Sequence, residues 1–179
     1  LQLALALSTG EEFLGMETTK SSVLYINFEM DDSMLQRRID AQCVELGVAA
    51  PPNLFTATMG HIDLGTDEGR EAIDDLIQQA ASDGWPVDVL LIDPRRNSMG
   101  GDENQSAVLT EWNANVDKLR ADHHMAIVVV HHAGKNTTGA GRGSSVFDAW
   151  LDTIVQLEAV GRPRIANKVQ YQPGRITIQ

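Results

Sequence analysis

Three short apolar runs, each closed by one polar residue, constrain the fold of this chain more than any other feature. Val23 to Phe28 leads into Glu29, Val87 to Ile92 into Asp93, and Ala126 to Val130 into His131. Runs this short and rich in Val, Ile and Leu suit strands covered on both faces. The segments between them are helical in spacing. Leu35, Ile39, Cys43 and Leu46 recur from an expected N-cap at Asp32 to a stop at Gly47. Ile73, Leu76, Ile77 and Ala80 follow, ending near Gly84, and then Val108, Leu109, Trp112, Val116 and Leu119 behind an expected cap at Asp102. Such alternation predicts an α/β fold, a mostly parallel sheet with helices on both faces. Ligands of such sheets bind outside the carboxyl ends of the strands, so Glu29, Asp93 and His131 are expected on one edge.

The rest of the chain fits one domain over residues 1–179. Leu1 to Ser8 is apolar nearly all round, as a buried helix would be, and Gly10 and Gly15 punctuate a loop. Pro51, Pro52 and Gly60 bracket a short extended piece around Leu54 and Phe55. Beyond a helical stretch from Val146 to Trp150, Thr153 to Leu157, Ile165 to Val169 and Arg175 to Ile178 are expected as antiparallel closing strands, the last two as a hairpin. With 179 residues and 42% hydrophobic content, the chain can bury one ordinary core.

Fourteen basic against 25 acidic residues give a net charge of −11, which opposes non-specific attraction to nucleic acid or an anionic membrane. Nucleic-acid contact must then be local. The loop from Ala133 to Gly143 is the place for it, since it carries Lys135 and Arg142 and no acidic residue. No apolar run approaches the roughly 20 residues that cross a bilayer. The single cysteine, Cys43, cannot form an internal disulfide, which favours a reducing, cytoplasmic location.

The three strand-end residues have distinct chemistry. An aspartate fixed by a strand, such as Asp93, can hold a hydrated Mg²⁺ that keeps most of its waters. Glu29 can orient or deprotonate a water attacking a terminal phosphate. His131 can donate to a phosphate oxygen and report hydrolysis to the loop behind it. A zinc-dependent hydrolase using Asp93, His131 and His132 is a separate reading, although adjacent residues on a strand point to opposite faces.

Four segments then occur in order: Val23 to Met30; Leu90 to Pro94 with Gly100 to Asn104; Val128 to Lys135; and Arg142 to Ser145. Together they resemble the RecA-like P-loop ATPases, in particular the branch of the RepA-type hexameric replicative helicases, and the resemblance spans almost the whole chain. It implies ATP and Mg²⁺ as cofactors, with Asp93 as the Walker B aspartate and metal ligand and Glu29 as the catalytic glutamate. His131 or His132 would be the sensor. Arg142, and secondarily Lys168, would act on the nucleotide of a neighbouring subunit in a homo-oligomeric ring. Lys135 and Arg142 would meet single-stranded DNA in the pore.

The phosphate-cradling motif of such enzymes, G-x-x-x-x-G-K-[ST] between a strand and a helix, does not occur among these residues. Gly15 to Ser21 is a partial look-alike with Thr19 at the second glycine and a strand after it. By the resemblance, Leu1 to Ser8 corresponds to the helix that follows the motif. Two readings stay open: an ATPase of a helicase-type motor, and a non-catalytic nucleotide- or partner-binding relic of the same fold.

Overall fold

The apolar runs lie side by side because each can satisfy its main-chain groups only on a neighbour. In a computed structural model of the protein, residues 1–102, 105–132, 145–159, 164–166, 169–171 and 174–178 are described. The strands β1 (Val23–Asn27), β2 (Leu54–Thr58), β3 (Val89–Asp93) and β4 (Ala126–Val129) form a parallel sheet in the order β2-β1-β3-β4. The helices α1 (Gln2–Thr9), α2 (Asp32–Leu46), α3 (Asp67–Ser82) and α4 (Ser106–His123) precede or connect them. A short 3-10 turn, Arg95–Ser98, follows β3, and α5 (Ser145–Trp150) follows β4 in sequence.

The period of two along each strand divides the core into two layers. Val23, Tyr25, Val89 and Leu91 pack with Ala4 and Leu5 of α1 and with Leu35, Ile39 and Cys43 of α2. Leu24, Ile26, Leu90 and Ile92 face the other way, onto Ile73 and Ile77 of α3, Leu109, Trp112 and Val116 of α4, and Phe147 of α5. Each fully buried aliphatic side chain stabilises the fold by roughly 1.5–3 kcal/mol. Trp112, the largest of the fully buried residues, also satisfies its indole N–H on the Ser98 carbonyl at 3.1 Å. The expected parallel sheet with helices on both faces is therefore the observed architecture.

Two helix caps and the C-terminal strand pairing differ from the sequence expectation. The α2 cap is Asp31, not Asp32, because the Asp31 carboxylate accepts from the Met34 N–H at 2.8 Å. Asp102 does not cap α4. Gln105 occupies that position without a side-chain bond, and Asp102 instead accepts the Gln105 N–H through its main-chain carbonyl at 2.9 Å. At the C-terminal end, Ile165 and Val169 belong to different strands. β6 (Arg164–Ala166) pairs with β7 (Val169–Tyr171), whereas β8 (Gly174–Ile178) pairs with β5 (Val155–Ala159), both antiparallel. The expected partnership of the last two runs thus gives way to pairing of the last with the first.

Candidate functional site

Register brings the sequence-predicted residues to one edge. Asn27 lies opposite Asp93, so the ends of β1 and β3 are level, and the Phe28 N–H donates to the Asp93 carbonyl at 2.9 Å. On the far side of β3, Val130 donates to the Ile92 carbonyl and accepts from the Arg95 N–H, both at 2.9 Å. Glu29, Asp93 and the His131–His132 pair therefore leave the sheet at its carboxyl edge.

Asp93 is held from β1. The Tyr25 phenol donates to its Oδ2. Burial above all, and then the bond to Asp93, push the Tyr25 pKa well above its ordinary value, which keeps the phenol a donor.

Glu29 sits in a turn braced from three directions. Within that turn, Asn27 Oδ1 accepts the N–H of Met30 at 3.1 Å and that of Glu29 at 3.3 Å. Asn27 Nδ2 donates to the Met30 carbonyl at 2.6 Å and to Thr58 Oγ1, at the end of β2, at 3.1 Å. From the turn after Asp93, Asn97 Nδ2 donates to the Phe28 carbonyl at 3.1 Å. The Glu29 side chain itself is exposed, with Oε1 at 3.5 Å from His132 Nε2.

The two adjacent histidines lie beyond the end of β4 at Val129, and their side chains diverge. His132 stands against Glu29, whereas the His131 ring packs edge-on to Phe147 at 5.9 Å between centroids. Phe147 also carries the guanidinium of Arg95 over its ring at 3.8 Å, and Arg95 is 0% exposed. Contact with an aromatic face offsets part of the cost of burying that charge. Among the described residues no group of three or more His, Cys, Asp or Glu is arranged to hold a metal ion, so Asp93, His131 and His132 do not assemble as zinc ligands there. Lys135, Arg142 and Lys168 lie outside the described residues.

Beside the Glu29 turn an open cleft of about 410 Å³ runs between the ends of β2 and β3, lined by His61, Arg96, Asn97 and the Gly100–Gly101 main chain. His61 Nδ1 lies 3.1 Å from the Asn97 carbonyl and Arg96 Nη1 donates to the Gly101 carbonyl at 3.2 Å. Tyr25, Asn27 and Asn97 are the site residues that sequence reasoning missed. Tyr25 and Asn27 sit inside an apolar run, and their one signal is the period of two that puts them on the same strand face as each other. The Gly15 to Ser21 look-alike begins in a tight turn, in which Phe13 and Met16 exchange main-chain bonds of 2.9 and 3.0 Å, and leads into β1 rather than a helix.

A protein family described as AAA domain matches residues 1–138 of the chain. No curated protein matches it.

Proposed function

This chain belongs to the AAA domain family, which is of ATPase type, and on that premise we propose that it is the ATP-binding, Mg²⁺-dependent ATP-hydrolysing domain of a helicase-type motor. One observation carries the reading: Asp93 and the Glu29 turn are fixed against each other at the carboxyl edge of a parallel sheet, by register, by the Asn97 side-chain bond to the Phe28 carbonyl and by the Phe28 N–H bond to the Asp93 carbonyl.

The donor chemistry fits a hydrated Mg²⁺. A carboxylate offers two oxygens with about four acceptor sites, so the Tyr25 bond to Oδ2 leaves Asp93 capacity for a cation or its waters. Bound Mg²⁺ would supply charge neutralisation at the terminal phosphates. Glu29, exposed and on a rigid turn, orients the attacking water and takes its proton. His132, in contact with Glu29, and His131, packed on Phe147, are the two candidates for the sensor that passes the state of the site to the loop behind β4. Arg142 and Lys168 would act on a neighbouring subunit's nucleotide in a ring, and Lys135 with Arg142 on single-stranded DNA. The resemblance to RepA-type helicases supports those last roles.

The test is Glu29→Gln in the full-length protein. Mg²⁺-dependent ATP hydrolysis falls at least about 100-fold with nucleotide binding retained; undiminished hydrolysis overturns the role of Glu29. The alternative is a non-catalytic nucleotide- or partner-binding module that keeps the fold without the chemistry. It predicts no hydrolysis by the full-length wild-type protein at any Mg²⁺ concentration.

A further inference from the structure

Tyr25 is 0% exposed, packed among Leu5, Leu35, Ile39 and Leu91, and its hydroxyl is spent on a single acceptor, Asp93 Oδ2. We propose that Tyr25 is a positioning residue for Asp93, fixing the carboxylate in the orientation that receives a hydrated divalent cation. The proposal rests on the reading of Asp93 as the metal-holding carboxylate.

The geometry follows from register. Tyr25 pairs with Leu91, and Asp93 is two residues further along β3, so the two side chains share one face of the sheet. A phenol is long enough to cover that diagonal, and the aliphatic side chains of α1 and α2 hold the ring in place. A terminal aspartate would otherwise rotate freely about its side-chain bonds, each orientation presenting different lone pairs. A charge-assisted bond from a donor that cannot move selects one of them. The strand therefore sets where the Asp93 carboxylate sits, and Tyr25 sets which way it turns. No other role is evident for a buried phenol at this position, since Phe would fill the same apolar volume without having to satisfy a hydroxyl.

The experiment compares wild type, Tyr25→Phe and Asp93→Asn in the full-length protein, with Mn²⁺ as the probe, followed by electron paramagnetic resonance in the presence of ADP. Tyr25→Phe keeps the ring and removes the donor. The expected result is Mn²⁺ affinity about tenfold weaker, the lower end of what losing a hydrogen-bond partner behind a metal ligand costs. The half-saturating Mg²⁺ concentration for hydrolysis rises by a similar factor, with kcat at saturating Mg²⁺ within about twofold of wild type. A purely structural role would lower the amount of active protein and leave half-saturation unchanged, so partial unfolding of the variant does not obscure the outcome. Asp93→Asn separates the two levels of argument. Wild-type Mn²⁺ affinity in Asp93→Asn overturns the metal assignment itself; loss of binding there with wild-type affinity in Tyr25→Phe overturns the role of Tyr25 alone.

Discussion

The side-chain amide of Asn97 donates to the main-chain carbonyl of Phe28 over 3.1 Å, so the turn that follows Asp93 grips the residue that precedes Glu29. The two carboxylates of the site are thereby linked through one hydrogen bond as well as through the sheet. Asn97→Ala frees the Glu29 turn on that side while Asn27 still braces it from within. Hydrolysis is expected to fall about tenfold, since displacing a reacting group by an ångström costs up to roughly 100-fold. Asn97→Asp should do the same, because a carboxylate cannot donate to a carbonyl. Steady-state kinetics on both variants decide the matter, and an Asp variant as active as wild type would refute the linkage.

Gly69 is required by contact rather than by dihedral freedom. It lies in the first turn of α3, its N–H bonded to the cap Thr66 Oγ1 at 3.1 Å, and a Cβ there would lie 1.9 Å from the Asp63 main-chain oxygen. Neither backbone can yield without moving the helix start. Gly69→Ala should therefore destabilise the fold by about 3 kcal/mol, as overpacking does. Gly60→Ala, with nothing within 4 Å of its added carbon, should change stability by no more than about 0.5 kcal/mol. Urea unfolding of the two variants tests the contrast; equal midpoints would show that the α3 start accommodates the methyl.

Much of this arrangement is legible in the sequence because β1, β3 and β4 are apolar runs with nothing else to be, and a parallel sheet then dictates where their following residues go. β2 is harder to read. Leu54–Thr58 is a half-buried edge strand whose pattern is too weak to distinguish it from an extended connection. What holds the site together is less visible still. Tyr25 reads as one more strand residue until the register of β1 on β3 aims it at Asp93, and Asn97 reads as turn filler until that turn folds back onto Phe28. The difference between His131 and His132 has the same origin. Their order in the chain says that they diverge, but only the packing of Phe147 and the path of the Glu29 turn say which one meets the glutamate.

Leu14 occupies a conformation that its side chain disfavours. In the turn closed by Phe13 and Met16, Leu14 has φ 55° and Gly15 φ 80°, the positive pair that marks a type I′ hairpin turn. Such turns favour Asn-Gly, and the left-handed conformation costs an ordinary L-residue roughly 1–2 kcal/mol. Leu14 is 43% exposed, so little apolar burial offsets that cost. Leu14→Asn should raise stability by about 0.5–1 kcal/mol, seen as a higher urea midpoint at unchanged slope. A lower midpoint would mean that contacts of the leucine outweigh its strain.

A titratable tie joins α3 to α4. His123 Nε2 lies 2.5 Å from Asp74 Oδ1, and Gln78 Nε2 donates to Asp74 Oδ2 at the same distance. The bond from His123 is the main reason the Asp74 pKa lies below its ordinary value; burial opposes it, and Gln78, the charge of His123 and Arg70 add to it. A depressed carboxyl pKa in the folded state means that the unfolded chain binds the proton more readily between the two values, so stability rises with pH there. The contribution of Asp74 is therefore complete above the ordinary carboxylate range, about pH 4, and is lost as pH falls through the lowered folded value. Asp74→Asn should cost about 1 kcal/mol at neutral pH. Its stability should approach that of wild type as the pH falls from about 4 toward the lowered folded value, where the wild-type carboxylate takes up its proton. Urea midpoints of the two proteins measured from pH 7 to pH 3 should accordingly converge, and two parallel curves would show that the bond between His123 and Asp74 does not act through the charge of Asp74.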